Sequence, residues 1–465
     1  MVIKINDMKK LKYILVIPML CLLIMFSCQT ADELVPTSGN EITGISFILP
    51  DGKKIDIDLE MTEDNKIDVE IEDKVSTDMS KLRMFVNVPN NATVVADVPM
   101  GTYMDFTKPV SFDVISADGE KRTYTINATL IATQIEVEEL WRKTGSLIDF
   151  TQDNNRSVGI SGDYLVVHDR GKKGAYNYYN LETGEKAGVL SNEGVNMDPL
   201  HMISDDAGNI VSCSFTPGAG SELRVYWWNG VKADPELLLT WISDAPGNIG
   251  RKLYVKGDMN KLAYLYATVT NNDMFYRWEI KNGKVTSEIP DKIEFTHPNA
   301  GGWGTNGKIV PISVGKNSNY FINSNRKVRI TYMNGEDNTL IYNSEDHIQN
   351  VFHQWLAGGH AFDYVDMNGA RYMFVIEQDG TNWMSEIFTL RTMMKDSSLI
   401  KDITSLIHTR VYNAWLDFPL DPAFGGKNAN VTGEVKTRVA DDGKSAIVAF
   451  IATNGGVKVW KVSLA

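Results

Sequence analysis

The residues of this chain best suited to chemistry are aromatic rings set among carboxylates and amides, in three segments whose glycines or prolines mark them as loops. His297–Gly307 (HPNAGGWGTNG) holds Trp303. Val351–Asp366 (VFHQWLAGGHAFDYVD) brings together His353, Trp355, His360, Asp363 and Tyr364. Thr409–Gly433 (TRVYNAWLDFPLDPAFGGKNANVTG) carries Trp415, Asp417, Phe418, Asp421 and Phe424. A ring face accepts the C–H groups of a pyranose, while Asp, Asn and Gln hydrogen-bond its hydroxyls, so this composition suits sugar recognition. The candidate ligand residues are Trp303, Trp415, Trp355, Asp417, Phe418, Asp421 and His360. Trp383 and the pair Trp227-Trp228 are secondary candidates, and strand alternation places one ring of that pair inside.

Other chemistries find little support. His353, His360, Asp363 and Asp366 match no zinc spacing. Asp205-Asp206-Ala207-Gly208-Asn209 lacks the alternating carboxylates and terminal glutamate of an EF-hand and reads as a solvated hairpin. There is no GxSxG, no P-loop and no GxGxxG opening a helix, and no cofactor or metal is assigned. Asp417 and Asp421 stay open as an acid/base pair, the enzyme alternative being a glycoside hydrolase or lyase. Cys213, in the alternating run IVSCSF, reads as a buried small apolar residue.

Composition narrows the field further. The chain has 465 residues and a net charge of −13; removing residues 1–27 takes away four lysines and one aspartate and leaves −16. A surface this acidic disfavours nucleic acid and anionic headgroups. Residues 11–28 read LKYILVIPMLCLLIMFSC, preceded by Lys4, Lys9 and Lys10, and polarity returns at once with Gln29 to Glu33. That is a signal peptide with too short an apolar run for a comfortable transmembrane helix.

The elements that must position the aromatic segments are strands. Ile42–Leu49, Lys54–Glu60, Lys66–Ile71, Leu82–Val88, Val110–Ile115 and Arg122–Leu130 are short, spaced by turns, and predict an immunoglobulin-like sandwich. Ile55, Ile57 and Leu59 share one face, as do Ile67, Val69 and Ile71. Beyond Ile135 two series of turns interleave. One runs from Ser161-Gly162 through Ala207-Gly208-Asn209, Asp258-Met259-Asn260, Asn317-Ser318-Asn319 and Asn368-Gly369 to Asp442-Gly443. The glycines of the other, Gly184, Gly230, Gly283, Gly335, Gly380 and Gly455, lie 46, 53, 52, 45 and 75 residues apart. The first four gaps fit one four-stranded blade each. Six blades of a β-propeller are expected, with seven as the alternative, and Thr409–Gly433 reads as a loop insertion. Pairing of VKVWKVSL with Val137–Lys143 would close the ring. Ser397–His408 argues weakly for a helix.

Two resemblances complete the reading. The Ser27-Cys28 junction resembles a bacterial lipoprotein signal, which implies lipidation of Cys28; the acids after it resemble the surface-export signal of Bacteroidetes lipoproteins. Pro99, Asp105, Phe106, Pro109, Val110, Ala117, Asp118, Gly119, Tyr124 and Thr125 resemble the bacterial Ig-like domain of those lipoproteins, whose implied role is a spacer. The expected order is signal peptide 1–27, tether 28–39, Ig-like sandwich 40–133 and β-propeller 134–465. The whole resembles surface lipoproteins that accompany TonB-dependent nutrient importers. That implies an outer-membrane protein displayed at the cell surface, held by its lipid, capturing a glycan without catalysis. A protein-interaction scaffold docked on an importer is the other alternative.

Overall fold

A computed structural model describes residues 39–49, 52, 54–57, 59, 64–72, 79–131, 135–144, 155–172, 175–298, 302–324, 330–343, 356–367, 370–379, 387–396, 413–415, 432–453 and 455–464. The described chain is almost wholly β and falls into two compact units, residues 1–130 and 131–465.

In the first unit, alternation dictates the strands. They are β1 (Gly44–Ile48), β2 (Lys54–Ile57), β3 (Lys66–Glu72), β4 (Leu82–Asn87), β5 (Thr93–Ala96), β6 (Tyr103–Met104), β7 (Val110–Ile115) and β8 (Lys121–Ile131). Along β3, Ile67, Val69 and Ile71 are buried while Lys66, Asp68 and Glu70 are exposed. The strands form two four-stranded sheets, in the orders β2-β1-β4-β6 and β3-β8-β7-β5. Phe47 and Phe106 meet edge to face at 4.9 Å in a core that both sheets share. The sequence reading lacked only β5 and β6, which are too short to show a period.

The second unit opens with β9 (Ile135–Thr144) and continues as six sheets, all built from antiparallel neighbours. The first holds β10 (Asn155–Ser161), β11 (Tyr164–Asp169), β12 (Ala175–Asn180) and β13 (Lys186–Val189). The second holds β14 (Pro199–Ser204), β15 (Ile210–Ser214), β16 (Glu222–Trp228) and β17 (Glu236–Ile242). The third holds β18 (Ile249–Gly257), β19 (Leu262–Val269) and β20 (Met274–Lys281), with β21 (Lys284–Val285) and β22 (Asp291–Glu294) both on the edge of β20. The fourth holds β23 (Ile309–Pro311), β24 (Tyr320–Asn323), β25 (Ile330–Met333) and β26 (Leu340–Asn343). The fifth holds β27 (Leu356–Met367), β28 (Ala370–Asp379), β29 (Ile387–Asp396) and β30 (Asn413–Trp415). The sixth joins β31 (Gly433–Val439), β32 (Ser445–Ala452) and β33 (Gly456–Leu464) to β9. That last pairing is the one expected from the sequence, with Val457 opposite Lys143 and Val462 opposite Val137.

Two expectations are corrected here. Thr409–Gly433 is not only a loop: Asn413–Trp415 pairs with Thr389–Arg391 as the fourth strand of the fifth sheet. The 379–380 turn lies between second and third strands, whereas the 183–184, 229–230, 282–283 and 334–335 turns lie beyond the third. The final gaps therefore compared unlike turns. Ser397–His408 lies outside the described residues.

Apolar layers fill the spaces between sheets. Leu165 and Val167 of β11 pack with Ala449, Ile451, Val457 and Val459 of the sixth sheet, while Val166 packs with Met202, Ile210 and Trp228 of the second. Both faces of β11 are buried, so it reads as a continuous apolar run. Each first strand also touches a neighbour: β10 lies against β14, β14 against β18, β18 against β23, β27 against β31, and β31 against β10. The approach is close. A Cβ on Gly159 would fall 2.9 Å from the Ser204 nitrogen, and one on Gly250, at φ +93°, would fall 2.3 Å from the Ser214 oxygen.

At the centre stands a buried ion cluster. Glu434 of β31 accepts from Lys252 Nζ of β18 (2.7 Å) and His201 Nε2 of β14 (2.9 Å) through Oε2, and from Lys308 Nζ through Oε1. His201 Nδ1 accepts from the Leu253 amide (3.2 Å), which places the imidazole proton on Nε2. All four side chains are 3% exposed or less. Burial alone would raise the Glu434 pKa, but Lys252 and Lys308 more than offset it and hold the carboxyl well below its ordinary range. Burial pushes His201 down to about 4, against the pull of Glu434, so the ring is neutral.

Glu434→Gln would leave two buried ammonium groups without their carboxylate. Urea unfolding should show a loss of about 3–5 kcal/mol. A loss below about 1 kcal/mol would mean that the lysines find solvent.

Candidate functional site

The first strands of the six sheets alternate side chains between the sheet interfaces and the space they enclose. Along β18 the enclosed side receives Lys252, Tyr254 and Lys256; along β31 it receives Glu434, Lys436 and Arg438. Above the Glu434 cluster, the Lys436 ammonium lies 5.3 Å over the Tyr254 ring. Tyr254 donates to Asp363 Oδ1 (3.1 Å), and Asp363 Oδ2 accepts from the Thr437 amide (2.9 Å). Toward the C-terminal ends of these strands the space widens into a cavity of about 330 Å³. Every sheet contributes to its wall, in order Ile160, Asp206, Lys256, Ile312, Tyr364 and Lys436.

Opposite charges converge there. Asp206 Oδ2 accepts from the Gly257 amide (2.9 Å) and pairs with Lys256 Nζ (3.2 Å). The Tyr364 ring lies between two cations, with Lys256 Nζ at 5.2 Å and the Arg371 guanidinium at 4.5 Å. Arg371 is held by a two-point contact to Asp366, at 2.8 and 3.0 Å. Tyr364 donates to the Ile312 carbonyl at 2.9 Å. Burial works against the Lys256 charge, but Tyr364 and Asp206 outweigh it and raise its pKa. The cavity thus offers ammonium donors and a half-exposed carboxylate beside Ile160 and Ile312. Its volume is at the lower end of small-ligand sites, and its lining suits a ring bearing several hydroxyls.

The 205–209 hairpin beside this cavity is no solvated turn. Asp205 is buried and accepts from the Ala207 and Asn209 amides (2.9 and 2.8 Å), from Asn209 Nδ2 (2.7 Å) and from the Met259 amide (2.9 Å). It ties the second sheet to the third. Burial raises its pKa against these bonds.

Of the residues singled out in the aromatic segments, Tyr364 lines the cavity, with Asp366 of the same segment, whereas Trp303 does not. Trp303 is fully buried; its indole N–H donates to the Val269 carbonyl (3.1 Å), and Phe295 packs edge-on at 5.1 Å. A Cβ on Gly307 would fall 2.5 Å from the indole, so glycine here lets the backbone lie against a packed ring. Trp227 and Trp228 are both buried, against the third and first sheets respectively, because neighbouring sheets cover both faces. His360 sits in β27 where the pairing shifts between Gly359 and Ala361, and Trp415 ends β30 opposite Thr389. Trp355, Asp417, Phe418, Asp421, Trp383, His353 and Cys28 lie outside the described residues. Asp363 is a core partner of Tyr254. Among the described residues no group of three His, Cys, Asp or Glu is placed to hold a metal. Cys213 is buried and its thiol is pushed up to about 12 by burial. Its cationic lining residues, Lys256, Lys436 and Arg438, escaped the sequence reading, although Lys-Leu-Tyr-Val-Lys at 252–256 and Glu-Val-Lys-Thr-Arg at 434–438 carry charges at strand period.

Comparison with known proteins adds two family matches. Residues 142–455 match the model of a domain of unknown function, DUF8500. Residues 44–128 match the N-terminal domain of SGBP, the surface glycan-binding proteins. No curated protein matches the chain. Among solved structures, a DUF4623 family protein from Bacteroides eggerthii is 16% identical, with a TM-score of 0.55, over 91% of this chain and 98% of its own. That likeness is one of fold. Sqt1 of Saccharomyces cerevisiae is 9% identical, with a TM-score of 0.36, over 71% of this chain and 99% of its own.

Trp303→Ala should therefore act on folding. A loss of about 3–5 kcal/mol in unfolding free energy is expected. Unchanged stability would return Trp303 to the list of exposed ligand residues.

Proposed function

The chain belongs to the DUF8500 family, matched over residues 142–455, and from that premise we propose that it is a surface glycan-binding protein that captures its ligand without catalysis. The observation that carries this reading is the SGBP N-terminal match at residues 44–128. The axial cavity, with Lys256, Asp206 and Tyr364 on its wall, is the site we assign to the glycan.

In this reading the second unit is a six-bladed β-propeller. The six sheets, the contacts between their first strands and the β9–β33 pairing support it. The first unit is an Ig-like spacer at residues 40–133, carried on a tether at 28–39 behind a signal peptide at 1–27. Cys28 bears the lipid that anchors the protein in the outer membrane, facing outward, where a TonB-dependent importer would receive the captured glycan. Trp415, Asp417, Phe418, Asp421, Trp355 and His360 are retained in this reading as further candidate ligand residues.

Isothermal titration against a panel of polysaccharides tests the assignment. At least one should bind, and Lys256→Gln or Asp206→Asn should weaken it about ten-fold, the scale of one charge-assisted hydrogen bond. Binding to none of the panel sinks the proposal; release of new reducing ends from a bound glycan sinks its non-catalytic part. For the anchor, metabolic labelling with a palmitate analogue should mark the wild type and spare Cys28→Ala. Equal labelling of the two would remove the lipid from Cys28.

A further inference from the structure

The opposite ends of the first strands carry a second, chemically different pocket. Arg156 near the start of β10, Arg170 just after β11 and Arg251 near the start of β18 converge on a cavity of about 200 Å³, with Leu200 and Phe215 completing its wall. Arg170 pairs with Asp198 at 2.6 Å, and Asp198 is largely exposed. The Arg251 guanidinium carbon stands 5.6 Å from the Phe215 ring centroid, and its buried Nε has no hydrogen-bond partner. Burial, and then the charge of Arg170, weaken the hold of Arg251 on its proton. Three guanidinium groups in one pocket are unusual for a chain of net charge −13. The charge of Arg170 opposes that of Arg251 across the pocket, and an anion bound there would relieve that repulsion.

We propose that Arg156, Arg170 and Arg251 form an anion-binding pocket for a carboxylate or sulfate borne on a saccharide ring, with Phe215 against the ring's apolar side. Guanidinium forks match both anions by paired, parallel hydrogen bonds. The cavity is too small for a long ligand and suits one charged sugar unit of an acidic chain passing over this face. The saccharide half of this inference rests on the glycan-binding reading above; the anion half stands without it.

Titration of the full mature chain with sodium glucuronate, glucose and sodium sulfate separates the two. Glucuronate should bind at least ten-fold more tightly than glucose. Arg251→Gln and, independently, Arg156→Gln should each reduce glucuronate binding at least ten-fold, and Arg251→Lys should not restore it. Lys284→Gln removes an equal charge from an exposed position and should leave binding unchanged. Thermal unfolding without ligand confirms that each variant folds, and only folded variants are scored. Equal glucuronate binding by wild type and both glutamine variants overturns the site, as does equal affinity for glucose. Sulfate binding that depends on Arg251, without glucuronate binding, overturns the saccharide half alone. Failure of every neutral polysaccharide to bind, with glucuronate still bound through Arg251, would sink the axial glycan site and leave this pocket standing.

Discussion

A single carboxylate sets the geometry of the larger unit. Glu434 is removed from water and is held by Lys252, Lys308 and His201, which belong to or adjoin three other sheets. Apolar layers between sheets are non-directional, and a sheet could slide by a residue while keeping much of its buried area. An ion cluster has no such tolerance. A shift of one residue along any of these four strands would turn a charge into an apolar interface and strip its partners of compensation. The cluster therefore acts as a register pin for four sheets at once.

The first strands face a backbone problem, since among the described residues one edge of each lacks a partner strand, apart from a single bridge between Ile249 of β18 and Thr216. Side chains of neighbouring first strands supply the missing acceptors. Ser157 Oγ accepts from the Met202 amide and Ser204 Oγ from the Ile160 amide, at 3.1 and 3.0 Å. His201 Nδ1 serves Leu253, and Asp363 serves Thr437. Serine, histidine and aspartate in the middle of a buried strand thus have a structural purpose. Because polar groups already line these first strands, the fold also delivers a polar cavity where the strands end.

How much of this was legible in the sequence depended on what each strand buries. Second strands such as YLVVHD and SAIVAFIAT are apolar on both faces and stand out in any window. First strands do not. RKLYVKG and GEVKTRV look half solvated, since the partners that neutralise Lys252 and Glu434 are each other, far apart in the chain. The segment around Trp303 misled for the converse reason. Glycines around Trp303 suggested an open loop, whereas Gly307 is needed so that backbone can touch a buried indole. Composition distinguishes loop from strand, but it does not say which side of a ring meets water.

The pairing of β9 with β33 has a kinetic meaning. Ile135 lies opposite Leu464, so the sixth sheet joins residues near the two ends of its unit. Contacts of such sequence separation must overcome loop-closure entropy before they contribute stability. During synthesis β9 emerges before the other strands of its unit and waits without its partner until β33 has been added. The sheets between them can form from local hairpins in the meantime. Completion of the unit is thus a late event, and the order of assembly is written into the order of the chain.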